Sequence, residues 1–487
     1  MTLDVRRFAF QQGPGKRYLG QQRLVDDAAT TTSLLPPPAA RTDTGWLLPT
    51  GTHDRLAGTA YPDPCPPVTD PGQRLGHLLL TAFGLQRREP SNQYNDHRTV
   101  PSGRARFPVH AFVSRHGRLR YLDVYRHALV DTAAAGPTDG PATVLLAARY
   151  TDLPDPYGRL RCAIGEVELG VYLRALAVAA DLFGVAATLR LDGASVTGAA
   201  AAVAATGPGV WSPPLVVELD GVESPDPGTP LPSAGGAAGP GDRLLSPTGG
   251  SLDEAVAVAA HRSALPPTPP APARGLPVEP PAADLSWADL FWRRSAGRVP
   301  AGTYGFALTP APVGEDALRA MLAWLAVPPP GGPLREVAAR VRVTVALQRV
   351  GDRPTGAYRV VSGRPEPHRL DPHLLRRMQP GFGRPPSADT DSGFRHASLV
   401  WIFSTDVDAL LDDLGPAAWS LLQLWCGWAT HGLCLAAAAH GLVARPARSF
   451  DEHHVQPLAG LDRREVPVFM TVCGTSRFTE PMLDLRS

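Results

Sequence analysis

Two stretches of the chain carry the same succession of apolar and polar positions. In the first, an apolar segment at 109–113 (VHAFV) is followed by Arg120-Tyr121, by His127-Ala128-Leu129 and by a second apolar segment at 142–148. In the second, residues 341–345 (VRVTV) lead to Gly356-Ala357-Tyr358-Arg359, to His368-Arg369-Leu370 and to an apolar segment at 397–403. Short apolar runs of this kind, bounded by turn residues, predict strands. A long helical pattern follows in each stretch. Tyr157 stands 13 residues before Gly170, which stands 14 before Gly184; Leu414 stands 13 before Gly427, which stands 14 before Gly441. The segments between the later glycines read GVYLRALAVAADLFG and GWATHGLCLAAAAHG. Both predict helices ending at a glycine that can adopt the left-handed cap. Their small residues allow close approach, so this helix is expected at a packing seam. A last apolar strand closes each stretch, at 214–219 and 466–472. Helices, then strands, a central helix and a final strand define an α+β unit. The shared order and shared intervals predict that the unit is present twice.

The punctuation of the chain fits that reading. Residues 1–50 are polar and irregular and read as a lead-in. The first block spans 51–220 and the second 285–487. Between them, residues 221–284 hold 14 prolines among many Gly, Ala and Ser. Such composition buries too little apolar surface to offset the entropy of ordering and reads as a linker. A short helical island at 252–264 is expected to dock within it.

Charge and cysteine usage narrow the function classes. Of 487 residues, 47 are basic and 46 acidic, a formal net charge of +1 with no basic stripe. Nucleic acid is therefore not the expected partner. A hydrophobic fraction of 44% supplies ample core. Five scattered cysteines without a CxxC pair exclude a disulfide framework and a zinc ribbon, and suggest a reducing cytoplasm. No secretory signal and no apolar run of membrane-spanning length is visible, so neither membrane nor export is expected. Lys16 is the only lysine, so no lysine lies deep in the chain to act as a base.

Two short motifs carry candidate chemistry. Arg293-Arg294-Ser295, with Arg298, lies on an expected helix after Trp287. Two guanidiniums beside a hydroxyl can cradle a phosphate bidentately, although a bare charged helix face has the same composition. Arg98-Thr99-Val100-Pro101-Ser102-Gly103 leads into the first strand. Its Pro and Gly set a tight turn, whose serine and backbone N–H groups can face a ring or a phosphate; an ordinary loop reads alike. Other groups are expected to be structural. Trp419, Trp425 and Trp428 at helical spacing suggest interface packing, Cys426 and Cys434 small buried hydrophobes, and His431 and His440 core or surface histidines. Asp451-Glu452-His453-His454 reads as a solvated turn rather than a metal site.

Taken in order, these motifs resemble the FMN-dependent nitroreductase superfamily, and within it the SagB-type (McbC-like) azoline dehydrogenases. Arg293, Arg294 and Ser295 match that family's phosphate-holding motif. Arg98, Pro101, Ser102 and Gly103 match its Arg-x-x-Pro-Ser-Gly-Gly loop, with Arg104 in place of the last glycine. Gly356, Tyr358, His368 and Leu370 match its hairpin. Tyr157, Gly158, Glu168 and Gly170 match its Lys-Tyr-Gly and acidic-x-Gly-His segment. Ser449 resembles the loop near the flavin ring, and Arg477 the phosphate-side end of the last strand. The resemblance covers about 51–220 and 285–478.

What the resemblance implies is an α+β chain of two tandem nitroreductase-like domains forming an intramolecular pseudo-dimer with FMN as cofactor. The implied activity is oxidation of thiazoline or oxazoline rings to thiazole or oxazole in a ribosomally made, thiopeptide-like peptide. The implied partners are the azoline-bearing peptide and cyclodehydratase proteins that make the rings. Alternatives are a flavin-dependent reductase of dehydroamino acid or nitro substrates, and a flavin-free scaffold in a peptide-modifying complex. The departures from the pattern are complementary. The first block has Leu56-Ala57-Gly58-Thr59 in place of Arg-Arg-Ser, and the second has Pro330-Gly331-Gly332 in place of the Pro-Ser loop. One composite site is therefore expected, gripped by Arg293, Arg294 and Ser295 of the second block and faced by the Pro-Ser loop of the first. The Lys of the Lys-Tyr pair is absent from both blocks. This leaves Tyr157 as the candidate proton-transfer residue, with Arg159 and Arg161 near enough in sequence to lower its pKa from about 10.

Overall fold

The computed structural model describes residues 4–6, 9, 38, 42–89, 96–136, 140–153, 157–224, 229–231, 250–297, 306–307, 309–310, 312–382, 393–448, 450–476 and 482–487. β1 (Thr44–Leu47) lies within the segment read as an irregular lead-in and is ordered there by pairing with the first sheet; α1 (Thr52–Ala57) and α2 (Pro71–Phe83) follow. Asp70 caps α2 by accepting from Gln73 N at 2.9 Å, with Pro71 at the first helical position. Short strands β2 (Leu85–Arg88) and β3 (Asp96–Arg98) precede β4 (Val109–Arg115), β5 (Arg118–Asp123), β6 (Ala128–Ala135) and β7 (Ala142–Ala148). Then come α3 (Leu160–Leu182), β8 (Ala187–Arg190), α4 (Gly193–Ala204) and β9 (Leu215–Leu219).

Between the blocks lie β10 (Thr229–Pro230), α5 (Gly250–Ala260) and β11 (Ala271–Pro272). The second block begins with α6 (Trp287–Arg293), α7 (Glu315–Leu325) and α8 (Gly332–Ala338). Strands β12 (Arg342–Leu347), β13 (Gly356–Val361) and β14 (Arg364–Leu370) follow, then α9 (Leu374–Met378) and β15 (Leu399–Asp406). Helices α10 (Val407–Leu414) and α11 (Ala417–Ala439) lead to β16 (Val443–Ala447), α12 (Glu452–Leu458), β17 (Glu465–Gly474) and β18 (Leu483–Asp484).

The repeat expected from the sequence is visible in the sheets. The second runs β14-β13-β12-β15-β17-β16, and the first contains β6-β5-β4-β7-β9-β8, which is the same order. The first is extended to nine strands by β10 and β1 at one edge and β11 at the other. Helices α3 and α11 are each 23 residues long, with Gly170 and Gly427 at the same position in each. They cross there. A Cβ on Gly170 would lie 1.9 Å from Leu424 O, and one on Gly427 would lie 1.9 Å from Val167 O. Only glycine permits that approach. Gly184 and Gly441 take φ of 63° and 70° just beyond the helix ends, as the capping pattern requires. Both helices are buried on nearly every side, which explains their lack of a polar face.

The segment read as a linker behaves differently from 250 onward. Leu252, Ala255, Val258 and Ala259 of α5 join the main core, and Ala271 and Pro272 pair with β8. Gly275 N donates to Asp181 Oδ2 at 2.7 Å. Arg262, fully buried, donates to Glu166 of α3 and to Ser420 of α11. Proline-rich composition misleads here because a few apolar residues and one buried ion pair dock the strap, and neither stands out among so many prolines and alanines. The expected helical island is present as α5 and a following 3₁₀ turn at His261–Ala264.

Candidate functional site

The two candidate motifs, 196 residues apart, meet. The capping box of Ser286 and Asp289 starts α6, and Trp287 and Leu290 bury its inner face. This sets Arg293 and Arg294 at its C-terminal end. Arg293 is exposed. Arg294 is buried and donates from Nη2 to Arg98 O at 2.8 Å. Its Nε has no partner. Burial pushes Arg294 down to about 10, still charged at neutral pH. Glu89, the carboxylate whose charge acts on it, accepts from Arg87 Nε at 3.0 Å. Among the described residues, Arg294 is thus a buried cation that no carboxylate pairs. Ser295 turns away from the helix; its Oγ accepts from Gly297 N at 3.1 Å, and its carbonyl accepts from Ala444 N at 3.0 Å.

On the first-block side, Arg98 ends β3 and is half-buried, its guanidinium 4.2 Å from the Phe107 ring centroid. Pro101 is buried, Ser102 half-buried and Gly103 exposed. Ser102 Oγ donates to Glu168 Oε1 at 3.0 Å and accepts from Phe107 N at 2.8 Å, and Gly103 N donates to the same Glu168 oxygen at 2.8 Å. Further cations surround the junction. Arg87 Nη1 donates to Trp292 O at 2.5 Å, and Arg486 lies over the Trp292 ring at 4.2 Å. Strand β18 carries Arg486 there by pairing with β2, so the end of the second block returns to the first. Neither arginine was legible as a site residue, because nothing in a short β2 or a terminal segment announces its partner.

Tyr157 stands just ahead of the first turn of α3, about three turns before Glu168. Arg159 is paired with Glu254 of α5, and Arg161 is buried with Nε donating to Leu153 O at 3.1 Å. Ser449 and Arg477 lie outside the described residues.

The mirror position is filled. By the shared numbering of α3 and α11, Trp425 stands where Glu168 does, Ala429 where Tyr172 does and His431 where Arg174 does. Trp425 packs edge-on against Phe403 with centroids 5.0 Å apart, and Trp428 Nε1 donates to Val327 O at 3.2 Å. Arg174 is fully buried between the Trp324 and Trp428 rings. Leu56 belongs to the core, and Pro330 and Gly331 are buried. The tryptophans are packing residues, as expected, and the five cysteines are free and buried. His453 and His454 open α12 rather than a turn: Asp451 caps it, Glu452 pairs with Arg448 at 2.7 Å, and His454 Nε2 contacts Arg377 O at 2.8 Å. Among the described residues no cluster of His, Cys, Asp or Glu could hold a metal, and no helix is long and apolar enough to cross a membrane.

No protein-family model and no curated protein matches the sequence. Solved structures do. A nitroreductase-type protein of Anabaena variabilis superposes with a TM-score of 0.59 at 16% identity, covering 83% of this chain and 88% of that one. The Escherichia coli microcin synthetase McbBCD complex with truncated pro-MccB17 bound gives a TM-score of 0.31 at 16% identity, over 37% of this chain and 70% of that one. A nitroreductase-type protein of Ralstonia eutropha gives 0.28 at 16% identity, over 39% and 83%. The last two are too partial to carry an argument. With the first, the mixed helix-and-sheet architecture is that of the nitroreductase fold.

Proposed function

We propose that the chain is an FMN-dependent oxidoreductase with one flavin site assembled from both blocks. Its substrate is a thiazoline or oxazoline in a ribosomally made, thiopeptide-like peptide, oxidised to the azole. The observation that carries this reading is the junction of Arg294 with the Arg98 carbonyl, which joins the phosphate-type motif of one block to the Pro-Ser loop of the other. A buried guanidinium with an unpartnered Nε and, among the described residues, no pairing carboxylate fits a phosphate dianion, each charge-assisted bond contributing about 1.5–3 kcal/mol. Arg293 and Arg294 would hold the phosphate; Arg87 and Arg486, paired with Glu89 and Asp484, lie beside α6. Arg98 and the Pro101, Ser102, Gly103 turn would face the ring. FMN bound there supplies a two-electron acceptor for the ring carbon being oxidised. Tyr157, in its phenolate form, is the candidate to take the accompanying proton. A cyclodehydratase partner would deliver the azoline.

The mirror position supports a single site, since Leu56-Ala57-Gly58-Thr59 brings no guanidinium pair and Trp425 and Trp428 fill the seam. Flavin stoichiometry and peptide mass test the reading together. The expected results are one FMN per chain, its loss in the Arg293→Ala, Arg294→Ala double variant, and removal of two hydrogens per azoline ring. Two FMN per chain would refute the composite site. A flavin-loaded protein that leaves azolines unchanged would refute the substrate, and a colourless protein would favour the scaffold reading.

A further inference from the structure

The carboxyl of Glu168 sits beneath the Pro-Ser-Gly turn at a depth where acidic groups are rare. One of its oxygens, Oε1, receives both polar groups of the turn, Ser102 Oγ–H at 3.0 Å and Gly103 N–H at 2.8 Å. The other, Oε2, is buried and has no hydrogen-bond partner among the described residues. One turn further along α3, the Tyr172 hydroxyl is also buried. The molecule contains its own control for whether the fold needs a carboxyl here. At the same position of α11 the residue is Trp425, packed on Phe403, and that copy builds the same sheet and the same helix crossing. The carboxyl is therefore not a requirement of the architecture. It accompanies the one Pro-Ser-Gly turn that the chain has kept.

We propose that Glu168 is a positioning residue of the composite site: its carboxyl group latches the Ser102–Gly103 turn to α3 and so sets the surface that the turn presents to the flavin. This rests on the flavin reading above. The charged and titratable groups facing Glu168 are Arg98, from the loop side, and Tyr172, on its own helix. Burial pushes the carboxyl up to about 8, against the opposing pull of the Gly103 and Ser102 bonds and of Arg98. A latched turn thus holds a neutral acid, whereas a released turn exposes an ordinary carboxyl. The latched state binds the proton more tightly, so the latch weakens as the pH rises from the ordinary carboxyl range to about 8 and changes no further above it. Glutamine at this position stays neutral and keeps an oxygen to accept from Ser102 and Gly103.

The test uses the full chain with FMN as probe. Flavin dissociation constants are measured between pH 7 and 9 for wild type, Glu168→Gln and Glu168→Ala. Amide exchange over 99–107 and over 420–430 is followed by mass spectrometry in parallel. Wild-type affinity is expected to fall by up to ~10-fold per pH unit as the pH rises toward 8 and to level off above it, and Glu168→Gln to bind FMN evenly across the range. Glu168→Ala should exchange faster over 99–107 at every pH while 420–430 stays protected, which separates an open latch from a failed fold. Wild-type protection of 99–107 in Glu168→Ala, or a wild-type pH profile in Glu168→Gln, would overturn the proposal. Wild-type protein that binds no FMN would overturn the flavin reading, and the exchange data would then decide the latch alone.

Discussion

Arg262→Met is the sharpest probe of how the inter-block strap contributes to the fold. Glu166 is fully buried, and its two oxygens are approached by three residues. Tyr150 Oη donates to Oε1 at 3.0 Å and Arg262 Nη2 to the same oxygen at 3.2 Å; Ser420 Oγ donates to Oε2 at 2.7 Å, with Arg262 Nε at 3.0 Å from it. Arg262 also donates to Pro213 O at 2.7 Å. One guanidinium thus ties α3, α11 and the segment preceding β9 to the strap. Methionine keeps much of the volume but leaves a carboxylate in the core with two neutral donors. Stranding a buried charge in this way costs about 3–5 kcal/mol. The double variant Arg262→Met, Glu166→Gln removes both charges and should recover most of that loss, because a buried pair is worth far less than either half alone. Thermal unfolding of the two single variants, the double variant and wild type forms the cycle. A single Arg262→Met costing under ~1 kcal/mol would refute the reasoning and return residues 250–284 to the status of an inert tether.

Other expectations follow from the seam and the buried groups. Gly170→Ala places a methyl 1.9 Å from a backbone carbonyl and should cost about 3 kcal/mol or more, whereas Gly198→Ala on α4, with open space around its Cβ, should be neutral or mildly stabilising; equal melting temperatures for the two would contradict the crossing. Burial holds His77 down at about 4, so it is neutral in the fold, and its contribution is present above pH 6.5 and lost as the pH falls toward 4. That loss is on the order of 3 kcal/mol at most, and His77→Gln should flatten the stability slope across that interval; an unchanged slope would assign the effect elsewhere. Tyr157→Phe should retain FMN and lower turnover by ~10²-fold, and full turnover in that variant would remove Tyr157 from the chemistry.

The parts of this molecule that were legible in its sequence are those with local periodicity. The small residues of 170–184 and 427–441 marked a packing seam, but not that Gly170 and Gly427 are the point of crossing. Strand β7 was read at its observed bounds, and β9 and β17 within a few residues. The candidate site was legible only where two motifs each carried a pattern of their own, Arg293-Arg294 and Pro101-Ser102-Gly103. What joins them was not. The bond from Arg294 to a backbone carbonyl 196 residues away leaves no compositional trace, because any residue offers a carbonyl. The same holds for Glu168, whose partners are 65 and 66 residues distant. The strap was misread for a related reason: composition averages over a window, while its docking depends on Arg262 and a few alanines and valines.

The crossing of α3 and α11 has an evolutionary consequence. In a homodimer built on such a dyad, every substitution is made twice, once in each subunit, and a change useful to one side of the axis is imposed on the other. Joining both halves in one chain removes that restriction. Glu168 and Trp425, Tyr172 and Ala429, and Arg174 and His431 are pairs that symmetry would have forbidden. Each lies along the two helices that meet at Gly170 and Gly427. On the proposed single-site reading, a fused chain can keep Glu168 under the Pro-Ser-Gly turn on one side and place Trp425 against Phe403 on the other. Positions that a symmetric assembly would hold identical are here free to differ between the two helices.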